Sequence, residues 1–74
     1  MTRLRQVKPR ELVRALKKAG FKETDQTGSH IILVDELRDI QTSVPMHPGD
    51  IGRGLLKKIL KQAGLTEGQF RKLL

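Results

Sequence analysis

From Pro9 onward, apolar residues recur at helical spacing: Leu12, Val13, Leu16 and Ala19 share one side, with Arg14, Lys17 and Lys18 on the other. Pro9 suits a first helical turn because it has no N–H to leave unsatisfied, and Gly20 can end the helix with Phe21 folded back on its last turn. The period then changes. Phe21-Lys22-Glu23-Thr24 is expected as a first strand, Gln26-Thr27-Gly28 as a turn, and Ser29 to Val34 as the returning strand. Asp35 to Asp39 reads as a charged, solvated hairpin loop. Ile40, Thr42 and Val44 then alternate with Gln41 and Ser43, the period of a half-buried third strand, which Pro45 ends.

A Pro48-Gly49 loop leads into a second helix, for which Asp50 or Gly52 is the expected N-cap. Leu55, Leu56, Ile59, Leu60 and Ala63 make its apolar stripe, Lys57, Lys58 and Lys61 oppose it, and Gly64 closes it. Thr66 with Gln69 reads as a capping box opening a last short helix through Phe70, Leu73 and Leu74. The order predicts an α+β fold: a three-stranded antiparallel sheet with helices on one face. Strand alternation leaves two registers for the second strand. In the favoured one Ile31 and Leu33 meet the helices, and His30, Ile32 and Val34 lie on the open face. The other buries His30, which would then need a polar partner.

Composition narrows what such a chain can do. Seventy-four residues make one domain with a modest core and no room for a cofactor-binding domain. Fifteen Lys and Arg against eight acids give a net charge of +7, which predicts attraction to polyanions, nucleic acid above all. Two Phe and no Tyr or Trp leave no platform for stacking bases, so recognition should rest on phosphates and shape. Cysteine is absent, and two His with scattered carboxylates make no zinc spacing, so neither metal nor cofactor is expected. Arg3, Arg5, Lys8 and Arg10 make the first ten residues basic, but no apolar run follows them. Neither a signal peptide nor a membrane span is expected, and the expected location is cytoplasmic.

The candidate chemistry sits at Gly28-Ser29-His30, where a glycine turn delivers a histidine to the start of a strand. Histidine is the side chain whose unperturbed pKa allows proton exchange near neutrality. A second histidine, His47, follows the third strand in Val44-Pro45-Met46-His47. Cations able to contact a phosphate are Lys22, Lys57, Lys58 and Lys61.

The α-β-β-β-α order is that of the double-stranded RNA-binding fold. Four stretches go further: Leu16-Lys17-Lys18-Ala19-Gly20-Phe21, Gly28-Ser29-His30, Val44-Pro45-Met46-His47, and Ile59-Leu60-Lys61-Gln62-Ala63-Gly64-Leu65. In order and spacing the chain resembles the HicA family of small messenger-RNA-cleaving toxins over about residues 9–65. It departs from the family pattern at Ile31, where many members carry a second His or another polar residue, and at Gly54-Leu55-Leu56, where many have Gly-Thr-Leu. The resemblance implies a metal-independent endoribonuclease of a toxin–antitoxin system with His30 as the acid/base. Ser29, His47 and the four lysines named above are the candidate RNA contacts. It also implies a HicB-like antitoxin, for which His30, Ile32 and Val34 are the candidate surface, and no membrane partner. The alternative is a non-catalytic RNA-binding module of the same fold.

Overall fold

The computed structural model describes residues 6–74. Arg3 and Arg5 lie outside the described residues. α1 (Pro9–Lys18) begins with Pro9 in its first turn, where the Lys8 N–H donates to Glu11 Oε1 at 3.0 Å. It buries Leu12, Val13, Ala15 and Leu16. Gly20, at φ +112°, reverses the chain, and the Phe21 N–H returns to the Leu16 carbonyl at 3.0 Å. Three antiparallel strands follow in the order β1-β2-β3: β1 (Lys22–Thr27), β2 (His30–Asp35) and β3 (Ile40–Pro45). α2 (Arg53–Ala63) and α3 (Glu67–Leu73) complete the chain. This is the α-β-β-β-α arrangement expected of the sequence, and α1 and α2 both pack on β3.

β2 sets the two faces of the sheet. Ile31, Leu33 and Asp35 are buried beneath the helices, whereas Ile32 and Val34 are half-buried and His30 is exposed on the other face. Leu12, Leu16, Leu33, Val44, Leu56, Leu60 and Phe70 are fully buried and form the centre of the core. Thr42, buried among them, satisfies its hydroxyl by donating to Gln62 Oε1 of α2 at 3.1 Å. Gly52 is the N-cap of α2, and Gly64, at φ +72°, ends it. Thr66 and Gln69 form the expected capping box, with bonds of 2.9 and 3.1 Å.

The structure corrects three local expectations. β1 runs from Lys22 to Thr27 rather than over Phe21–Thr24, and the turn is the two-residue Gly28-Ser29. Every residue of β1 is exposed, so no burial alternation marks it. Its ladder with β2 makes it a strand, with an irregularity between Glu23 and Asp25. Asp35 is not solvated: it ends β2, is 4% exposed, and is the polar anchor of the following turn. Its carboxylate accepts from the Leu37 and Arg38 N–H groups at 3.1 and 3.3 Å and from Arg38 Nε at 2.6 Å. The Arg38 hydrogen bond, with help from the backbone donors and the guanidinium charge, outweighs burial and holds this carboxyl below the usual range. Finally, Val7 and Ile51, in segments without a strand pattern, are fully buried. They form an isolated antiparallel bridge in which the Ile51 N–H donates to the Val7 carbonyl at 2.7 Å.

Candidate active-site groove

Backbone geometry fixes where His30 stands. Gly28 takes φ +56°, the sign that a tight two-residue hairpin requires at its first position and that only glycine adopts without strain. His30 is therefore the first residue after the turn, paired with Thr27 on one side and Pro45 on the other. Beyond β3 the ladder gains one more bond, from the Met46 N–H to the Ser29 carbonyl at 2.5 Å. That bond ties the segment bearing His47 to the turn bearing His30. His47 Nδ1 lies 3.0 Å from the Pro48 carbonyl. A carbonyl can only accept, so Nδ1 is the donor in this contact, and Nε2 is the ring nitrogen left for other partners.

These constraints converge on a groove of about 340 Å³ at the β3 side of the sheet. His30, Ser43, Pro45 and His47 form one wall, and Leu55, Lys58, Ile59 and Gln62 of α2 form the other. Among the predicted RNA contacts, His47 and Lys58 therefore share a groove with His30. Lys57 and Lys61 are exposed on α2 but do not line it. Ser29 is exposed in the turn beside it. Lys22 is remote: it pairs with Val34, four residues along β2 from His30, roughly 13 Å at strand spacing, and its ammonium is 3.4 Å from Glu36. The helical wall is a unit that the sequence pattern does not single out, although positions 55, 58, 59 and 62 have the spacing of one helix stripe. Leu55, expected in the apolar stripe of α2, is 40% exposed and lines the groove.

The wall residues carry one cation, two imidazoles and no carboxylate. Such a groove favours an anionic ligand, with proton-transfer groups on one side and a positive charge facing them. No side chain among the described residues hydrogen-bonds His30. Its position comes from the turn and the ladder alone. The described residues hold no cluster of three His, Cys, Asp or Glu able to bind a metal ion.

The family described as "HicA toxin of bacterial toxin-antitoxin" matches residues 9–65, well over half of the chain. The chain belongs to the HicA toxin family. The matched span contains α1, the sheet, the whole His30 groove and α2, and it ends before α3. Membership implies a toxin–antitoxin partner. A search of curated proteins finds no match. No helix of the described residues is long and apolar enough to cross a membrane.

Proposed function

We infer that the protein is an endoribonuclease that cleaves messenger RNA with His30 as its acid/base group. The observation that carries this reading is the groove that joins His30, His47 and Lys58, three residues from separate parts of a chain of the HicA family. In the proposed reaction His30 takes the proton of an RNA 2′-OH. The 2′ oxygen attacks the adjacent phosphorus, the bond from phosphorus to the 5′ oxygen breaks, and a proton returns to that leaving oxygen. The products are a 2′,3′-cyclic phosphate and a 5′-OH end. Base catalysis of this kind contributes about 10²–10⁴-fold. Lys58 stabilises the negative charge that builds on the phosphoryl oxygens, and His47, donating from Nε2 when its ring carries both protons, is the candidate source of the proton that goes to the leaving oxygen. Ser29 and the flanking Lys57 and Lys61 contribute phosphate contacts at the rim. Lys22 is left for a more distant part of the RNA.

Control follows from the same surface. A HicB-like antitoxin that covers the open face would rest on Ile32 and Val34 and bury His30. The chain's net positive charge suits an acidic partner.

The decisive experiment expresses wild type and His30→Ala, following growth and the RNA ends produced. Cleavage and growth arrest should disappear in His30→Ala, with the fold and antitoxin binding retained. A second reading, a non-catalytic RNA-binding module, draws on the lack of any side chain orienting the His30 ring. It is the correct one if folded wild-type protein binds RNA but makes no new ends, or if His30→Ala arrests growth as well as wild type does.

A further inference from the structure

A second groove lies on the other side of the sheet from His30. About 470 Å³ in volume, it runs between α1 and the helix-side face of the β1–β2 hairpin. Its floor is Val13, Ile31 and Met46, and its rim is Arg10, Arg14, Lys17 and Gln26. Val13 and Ile31 are 7% and 8% exposed, the two most accessible members of the core. Arg10, Arg14 and Lys17 fall at i, i+4 and i+7, so they share one face of α1 over about 10 Å of helix. Lys17 is 3.3 Å from Glu23, whereas neither arginine has an ion-pair partner among the described residues.

A smaller groove of about 420 Å³ joins this one to the His30 groove. It shares His47 with the His30 groove, and Arg10 and Met46 with the α1 groove; Lys8 and Gly49 also line it. Lys58, His47, Lys8, Arg10, Arg14 and Lys17 therefore follow one another along a single track that turns around the Met46–His47 corner. No carboxylate lines any of the three grooves.

We propose that this track carries single-stranded RNA away from the cleavage groove, with Arg10 and Arg14 gripping phosphates several nucleotides from the cut. The proposal rests on the ribonuclease reading and extends it to the shape of the substrate. The bend selects a single strand. The molecule measures 35 × 29 × 17 Å, and a stiff duplex, with a persistence length on the order of 50 nm for DNA, cannot turn a corner on that scale. Both phenylalanines are buried, so the grip is through phosphates and is indifferent to base sequence. Such contacts add affinity for longer RNA and make it salt-dependent.

The test uses the full chain carrying His30→Ala, so that bound RNA stays intact, with or without Arg10→Gln and Arg14→Gln. Labelled single strands of about 4 and about 12 nucleotides are titrated at several salt concentrations. Without the two substitutions the longer strand should bind more tightly; with them the two lengths should bind alike. Two lost phosphate contacts should flatten the salt slope for the longer RNA by roughly 1.4, so that its affinity falls about sevenfold less between about 50 and 200 mM salt. Arg71→Gln with Lys72→Gln, which removes the same charge from α3 outside the track, should leave the slope unchanged. The proposal is overturned if the arginine pair leaves length preference and slope intact, or if the α3 pair has the same effect. It is likewise overturned if only antitoxin binding is lost, which would make the track a protein surface. Cleavage by the chain with His30 intact is scored separately. Absence of cleavage defeats the ribonuclease reading itself, whatever the salt slopes.

Discussion

Replacing Phe70 by alanine tests whether α3, which lies beyond the span matched to the family, belongs to the cooperative core. Phe70 is fully buried, and α3 is also held by a hydrogen bond from Lys18 Nζ to the Leu73 carbonyl at 3.3 Å. A buried aromatic side chain removes about 150–250 Å² from water. At about 25 cal/mol per Å² this amounts to about 4–6 kcal/mol, an upper bound because the unfolded chain already hides part of that area. Truncations of this kind cost about 3–5 kcal/mol. A chain of this length has a total stability of about 4–11 kcal/mol. Phe70→Ala should therefore consume a large share of it, and Phe70→Leu, which keeps most of the apolar volume, about 1–2 kcal/mol. Urea unfolding followed by far-UV circular dichroism measures both, with the transition slope reporting the surface exposed. If Phe70→Ala costs less than about 1 kcal/mol at an unchanged slope, α3 is an appendage and the packing argument fails.

Further outcomes follow from single features. Gly28→Ala should destabilise by about 1–2 kcal/mol, read from the urea midpoint. An added Cβ there meets nothing within 4 Å, so the whole cost is the strain of a positive φ. Because the Asp35 carboxyl is held below its ordinary range, its contribution is complete above the unfolded value of about 3.9 and is lost as pH falls toward the lowered native value. Asp35→Asn should accordingly flatten the acid limb of stability against pH; a limb as steep as wild type would remove Asp35 as its source. Charged residues at both Ile32 and Val34 should weaken inhibition by the antitoxin more than any single lysine change on α2, scored as RNA protection by folded, active variants. Cleavage should persist in EDTA, since no metal-ligating cluster exists among the described residues. Loss with chelation and return with magnesium would point to a different mechanism.

The helices and their order were legible because both α1 and α2 keep an apolar stripe at a period near 3.6, and because Gly20, Gly64 and the Thr66–Gln69 pair mark their limits. β1 was only half legible. Its side chains are polar on both faces, so its extent is set by hydrogen bonds to β2 that leave no mark in the residue pattern. Asp35 departs from expectation for a related reason. Charge predicts solvent, and only the fold shows that three donors around the next turn converge on its carboxylate. Val7 and Ile51 are isolated apolar residues in sequence and acquire their roles from each other. His30 and His47 could be named from sequence, yet the wall that faces them could not. Lys58 and Lys57 are neighbours in the chain, and one helical step decides which of them faces the imidazole.

The β1-β2-β3 meander also bears on how the protein comes into being. Each strand pairs with its neighbour in sequence through a short turn, so the sheet can zip up locally and early. The remaining joins are distant: α1 waits for α3, and Val7 waits for Ile51. The His30 groove itself draws on residues as late as Gln62. During synthesis, a chain that has already extruded its histidines still lacks the opposing wall. If the groove cleaves RNA as proposed, that ability should arrive abruptly, near the end of translation, rather than accumulate as the polypeptide lengthens. Prematurely terminated copies that stop inside α2 would lack part of that wall.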